Sequence, residues 1–244
     1  MNPQLVYELA HVDHAISNPV DDESARQLLR RTVYQGDERV LDLGCGDAAW
    51  LLSVLAAHPG VTAEGVDISL PPLARARERA TALGVEDRLV LHHRRATKFT
   101  SPQPFDAVFC VGAAHAFGGL LPALDAMHGH LTPGGRVLVG DGFWEGEPSP
   151  EARGIFGDCE DLATTIELVE RRGWMSVYGH VSTRQELDDY EWNWTGSLAK
   201  WALDHPDDPN SAMALAKAST HRSEWLRDYR SCWGFLTLVL RRTS

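Results

Sequence analysis

Short β-rich apolar runs alternate with helix-period segments from about residue 22 onward, and the first junction is a glycine turn, "RVLDLGCGDAAW" at residues 39–50. This alternation is the strongest constraint on the fold, because strand, helix and strand in succession build βαβ units around a parallel sheet. The series is led in by "DDESARQLLRRTVY", where Asp21 is placed to cap a helix that carries Leu28, Leu29 and Val33 on one face. Strands are predicted at "RVLDL", "VTAEGVD", "RLVLHH", "FDAVFCVG" and "RVLVGDG". Helices are predicted at "AAWLLSVLAAH", at "PPLARARERATALG" with Gly84 at its end, and near "LLPALDAMHGHL", which the turn "TPGG" closes.

The pattern changes after residue 142. "FWEGEPSPEARGIFGD" reads as a loop too long for a simple connection, and so as a functional one. A helix, "CEDLATTIELVERRG", and a strand, "WMSVYGHVS", follow, and "CWGFLTLVLRR" is the last strand. Between those strands, "RQELDDYEWNWTGSLAKWALDH" and "SAMALAKASTHRSEWLRDYR" read as two helices separated by "PDDPN". An inserted helical pair needs a surface to cover, so the expected organisation is one domain with an N-terminal helical lid at 1–37, a core at 38–183, a helical cap at 184–231 and a final strand at 232–244.

A chain of 244 residues can bury a sizeable core. Its 34 acidic against 23 basic residues give a net charge of -11, which repels phosphate backbones and anionic lipid surfaces. Neither nucleic acid nor a membrane is therefore expected as a partner. Cys45, Cys110, Cys159 and Cys232 form no C-x-x-C pair and read as reduced thiols. "MNPQLVYELAHVDH" lacks the basic start and apolar run of a signal peptide, so the expected location is the cytoplasm.

Glycines between a strand and a helix let backbone N–H groups approach a ligand closely. "GCGDAA" satisfies the loose dinucleotide pattern, a weak match in itself. Asp42, two positions before Gly44, separates the alternatives: a carboxylate there repels a pyrophosphate and attracts an ammonium group.

Together, "VLDLGCGDAAWL", "GVDIS" and "LTPGGRVLVGDG" resemble the motifs of the class I S-adenosylmethionine-dependent methyltransferases. The resemblance implies an α/β Rossmann-like fold whose seven-stranded, mostly parallel sheet has its last strand antiparallel. It also implies S-adenosylmethionine as cofactor and S-adenosylhomocysteine as product. By the same resemblance, Asp42, Gly44, Cys45 and Gly46 shape the pocket for the methionine part, Asp67 takes the ribose hydroxyls, and Ile68 lies beside the adenine. Asp67 could instead cap the following helix. Many family members carry an acidic residue after the third strand, but this chain reads "HHRRATKF", which leaves Ala96 and Thr97 to meet the adenine through backbone or hydroxyl groups.

Ligands of open α/β sheets bind beyond the carboxyl ends of the strands. "CVGAAHAFGG" leaves the fourth strand there, with Val111 and Gly112 beside the cofactor and His115 as a candidate base; Asp141, ending the fifth strand, is a second. A lone histidine in a turn is more often structural. His14, Trp144 and Trp192 are candidate acceptor contacts, and Trp201 and Trp225 are expected to pack. His11 and His14 share a helical face with no third ligand identifiable, the Asp-Asn pair of catechol-type members is missing, and no metal site is expected. The fourth strand also lacks the Asn/Asp-Pro-Pro-Tyr/Phe motif of nucleic-acid methyltransferases. The expected activity is metal-independent methyl transfer to an O, N or C nucleophile of a small molecule, by a monomer or homodimer. A non-catalytic cofactor-binding regulator and a nicotinamide-dependent oxidoreductase are the alternatives.

Overall fold

In the computed structural model, residues 3–14 and 16–243 are described. Seven strands form one sheet in the order β3-β2-β1-β4-β5-β7-β6: β1 (Arg39–Leu43), β2 (Thr62–Asp67), β3 (Leu89–His93), β4 (Phe105–Val111), β5 (Leu131–Trp144), β6 (Trp174–Val181) and β7 (Trp233–Arg242). The β1–β2, β2–β3, β1–β4 and β4–β5 pairs are parallel, and β6 pairs with β7 antiparallel. Chain order runs outward from β1 to β3 and then resumes at β4 on the other side of β1. The carboxyl ends of β1 and β4 therefore form the switch point at which such sheets bind ligands.

The central strands are buried on both faces, which is why "RVLDL" and "FDAVFCV" read as near-continuous apolar runs. Nine helices are described: α1 (Pro3–Ala10), α2 (Asp22–Thr32), α3 (Ala49–Ala57), α4 (Leu70–Leu83), α5 (Leu120–His128), α6 (Pro150–Phe156), α7 (Leu162–Arg171), α8 (Arg184–Asp204) and α9 (Ser211–Glu224). A π-helical turn, Trp225–Tyr229, continues α9. Asp21 caps α2 by accepting from the Ser24 amide at 2.7 Å, and Asp22 and Glu23 in its first turn oppose Arg30 and Arg31 in its last, as the helix dipole favours. Gly84 closes α4 in the left-handed conformation.

The chain divides into two compact units. Asp21–Asp141, Ala163–Val181 and Leu236–Ser244 make a sheet unit; Met1–Val20, Gly142–Leu162 and Ser182–Phe235 make a helical unit. These boundaries differ from the expected ones. α2 falls in the sheet unit and not with a lid ending at residue 37, while residues 142–162 join the helical unit because Trp144 and Ala152 pack with Trp225, Tyr229 and Cys232.

Three local expectations are corrected. The long loop after residue 142 contains α6, whose first turn is capped by Ser149 accepting from the Ala152 amide. His11 and His14 follow α1 in a turn and do not share a face of it. β5 starts at Leu131, earlier than predicted: Phe105 pairs with Leu131 and Ala107 with Arg136, so "TPGG" bulges out of a strand that has already begun.

Candidate active site

The loop from β1 to α3 is shaped by backbone geometry that excludes most side chains. Gly44 (φ +93) has so little room that a Cβ there would lie 2.4 Å from the Cβ of Ala113, at the exit of β4. Gly46 (φ +54) faces open space, with nothing within 4 Å of such a Cβ. Ala48 also has positive φ, and it leads into α3 with no side-chain cap, leaving the first amides of that helix to other acceptors. The Gly44 and Cys45 amides both donate to the Val66 carbonyl, at 2.8 and 3.1 Å, which ties the loop to β2. Burial raises the Cys45 thiol well above its ordinary range, so it stays neutral.

Three carboxylates surround this loop. Asp42 is 2% exposed, and burial first, then the neighbouring charges of Asp67 and Asp47, pushes it up to about 7. Asp67 ends β2: its Oδ2 accepts from the Gly46 amide at 2.9 Å and its Oδ1 from the Ser69 amide at 2.8 Å. Asp67 thus turns the chain toward α4, while Ser69 occupies the cap position. Each oxygen keeps a lone pair for a further donor. Asp47 pairs with Arg79 at 2.5 Å. Sequence reasoning passed over Asp47, although its place directly after the second glycine was a signal. The loop offers room beside Gly46, negative charge and carboxylate acceptors, a combination that accepts a cationic group or paired hydroxyls and opposes a pyrophosphate.

The remaining predicted residues of the sheet unit lie at the same strand ends. Ile68 follows Asp67 and is 62% exposed. Ala96 is half-buried and Thr97 exposed on the short turn Ala96–Lys98, which packs against the turn Ala114–Phe117. Val111 is buried; Gly112 (φ +75) is exposed and donates to the Gly140 carbonyl at 2.9 Å. His115 is exposed on the turn after β4, and Asp141 is half-buried near the end of β5. The Arg94 and Arg95 side chains are exposed.

The helical unit holds the other three. His14 is half-buried; its Nε2 lies 3.0 Å from the Tyr190 carbonyl and its ring 4.6 Å from that of Tyr190, and burial lowers its pKa. Trp144 is 6% exposed. Trp192 is 50% exposed, edge-on to Trp225 and beneath the Arg222 guanidinium. Trp225 is buried, as packing requires. A network that sequence reasoning missed connects α8 to the π turn: buried Glu191 accepts from Tyr229 at 2.9 Å and meets His221 Nε2 at 2.7 Å, with Trp194 stacked on His221. Its members are scattered in sequence and carry no spacing signature.

Comparison with known proteins gives three kinds of match. A family model described as a methyltransferase domain matches residues 41–137. The uncharacterized protein YjhP of Escherichia coli (strain K12) is 29% identical over 245 residues, covering 97% of this chain and 98% of YjhP. Its solved structure superposes with a TM-score of 0.88. A methyltransferase of Geobacter sulfurreducens, solved with S-adenosyl-L-homocysteine, is 26% identical with a TM-score of 0.89, covering 98% of each chain. The 27-O-demethylrifamycin SV methyltransferase of Amycolatopsis mediterranei is 30% identical, covering 57% of this chain and 54% of that protein.

Proposed function

The chain belongs to the class I S-adenosylmethionine-dependent methyltransferase superfamily, and from that premise we propose that it transfers a methyl group from S-adenosylmethionine to an O, N or C nucleophile of a small molecule without a metal. The observation that carries this reading is the glycine loop itself: Gly46 opens onto free space and is held by Asp67, beside the buried carboxylate Asp42. These residues fit a ligand that joins an ammonium group to a ribose. S-adenosylmethionine, when bound, supplies an electrophilic methyl group on a sulfonium sulfur.

In this reading the chain's own residues bind and orient. Asp42, Gly44, Cys45 and Gly46 receive the amino-acid end, with ionised Asp42 attracting its ammonium. Asp67 accepts the ribose hydroxyl protons on the lone pairs that the Gly46 and Ser69 amides leave. Ile68, Ala96 and Thr97 border the adenine, whose polar edge is met by backbone groups, and Val111 and Gly112 run beside the cofactor. His115 or Asp141 takes a proton from the acceptor where the acceptor needs to lose one. His14, Trp144 and Trp192 contact the acceptor. The named acceptor of the Amycolatopsis relative supports a small molecule. Among the described residues no group of three or more His, Cys, Asp or Glu is placed to hold a metal ion, and no helix is long and apolar enough to cross a membrane.

Isothermal titration with S-adenosylhomocysteine, NAD and NADP in parallel tests the reading. Saturable binding of the first alone is expected, and Asp67→Ala is expected to weaken it by about 10-fold or more, as for lost hydrogen bonds to a charged group. Binding of a nicotinamide cofactor instead would overturn it. Cofactor binding without turnover of any acceptor would favour a non-catalytic regulator.

A further inference from the structure

The helical unit contains an aromatic cluster with two donors that no described residue satisfies. Trp144, the last residue of β5, and Trp233, the first of β7, meet through Phe156 of α6. The Phe156 ring lies edge-on to Trp144 at 6.0 Å, stacks on Trp233 at 4.7 Å and 20°, and lies edge-on to Tyr229 at 4.9 Å. The Nε1 atoms of both tryptophans are buried with no hydrogen-bond partner among the described residues. Trp144 as a whole is 6% exposed. The tight approach around Trp233 is built in by Gly142, where a Cβ would lie 2.7 Å from the Trp233 Nε1.

An indole nitrogen can only donate, and leaving a buried donor unmatched is costly. Each of these donors is open to an acceptor supplied from outside. The neighbouring polar groups are already committed. The Tyr229 hydroxyl donates to Glu191, and the Cys232 thiol faces the Asp228 and Tyr229 carbonyls. Arg184, which reaches the Trp233 carbonyl, is paired with Glu145. The cation that reaches Trp233 is thus neutralised, which disfavours a carboxylate and favours an uncharged oxygen.

We propose that the indole N–H groups of Trp144 and Trp233 form a subsite for an uncharged hydrogen-bond-accepting oxygen, a ketone, ester or amide carbonyl, on an otherwise apolar ligand. That this ligand is the methyl acceptor rests on the function proposed above; the subsite does not. Phe156 and Tyr229 supply the apolar surroundings in which each indole bond to a carbonyl gains strength.

The test is ¹H–¹⁵N NMR of the indole resonances in the full chain, assigned by their loss in Trp144→Phe and Trp233→Phe. The probes are acetophenone, ethylbenzene and benzoate, each with and without S-adenosylhomocysteine. Acetophenone is expected to move both resonances downfield, ethylbenzene to leave them in place, and benzoate to act less. Each Phe variant is expected to bind acetophenone about 3- to 10-fold more weakly, the loss of one neutral hydrogen bond. Resonances that ignore acetophenone, or respond equally to ethylbenzene, overturn the proposal. If one variant fails to fold, the wild-type shifts and the other variant still decide. Indole shifts in a protein that ignores S-adenosylhomocysteine would keep the subsite and remove the methyl-transfer reading; the reverse pattern would do the opposite.

Discussion

Asp42 is a carboxylate in a place that charges dislike, and its titration gives the sharpest handle on the loop. Its folded value of about 7 lies above the ordinary 3.8, so the folded protein binds a proton that the unfolded chain has released. Stability contributed by the neutral form is present below about pH 4 and is lost as pH rises to about 7, by up to about 4 kcal/mol. Asp42→Asn should therefore raise the melting temperature of the free protein at pH 8 and change it little near pH 4. On the proposed function a ligand ammonium selects the ionised form, so the stabilisation that S-adenosylhomocysteine gives the wild type should grow from pH 6 to pH 8, and Asp42→Asn should abolish that growth. A flat profile in thermal scans would detach Asp42 from the ligand. The two loop glycines differ in kind: Gly44→Ala meets Ala113 and a forbidden φ together and should cost about 3 kcal/mol or more, whereas Gly46→Ala meets only φ strain, about 1 kcal/mol. Urea unfolding of both variants separates these cases. The places of Asp42 and Asp67 at the strand ends around the loop were legible because strand ends and glycine turns leave a linear signature. Trp233 and Glu191 were not, because their partners are brought together by tertiary packing alone.

At the scale of elements, caps were readable wherever a side chain makes them. Asp21 opens α2 as predicted, and Thr183 opens α8 through a full capping box: its hydroxyl accepts from the Glu186 amide, and Glu186 accepts from the Thr183 amide at 2.6 Å. Thr183→Ala removes one side of that exchange and should destabilise the protein by about 1 kcal/mol, seen as a shift of the urea midpoint with unchanged slope. The helix α6 escaped the sequence reading although Ser149 and Pro150 mark its start. Its seven residues include Gly154 and are followed by Gly157, so no full apolar face develops, and packing of Ala152 and Phe156 onto Trp144 and Trp233 supplies what periodicity lacks. The strand order was likewise beyond local patterns: alternation identifies parallel strands but does not number their neighbours.

For the whole molecule, the chain passes between the two units at residues 20–21, 141–142, 162–163, 181–182 and 235–236. The helical unit is therefore assembled from three separated segments, and no one of them contains its core. Val6 of α1 packs with Leu198 and Ala202 of α8, and Ala152 of α6 with Trp225 and Tyr229. A peptide of residues 182–235 keeps α8 and α9 but loses both of those partners, and its far-UV circular dichroism should show much less helix per residue than those helices have in the intact protein. Native-like helicity in the isolated peptide would mean that the α8–α9 contact suffices. The alternation was enough to identify an α/β sheet; the interleaving of the units was not, because it depends on which distant segments share a core.

The placement of β7 has its own consequence for synthesis. It lies between β5 and β6, yet it is made after α8 and α9. While the ribosome is still extending the chain through those helices, β5 and β6 each present an open row of backbone donors and acceptors toward a neighbour that does not yet exist. Such edges recruit strands from other chains. These edges stay unpaired until "CWGFLTLVLRR" has been made and has docked between them, so the incomplete chain carries an exposure to misassociation that the finished one does not.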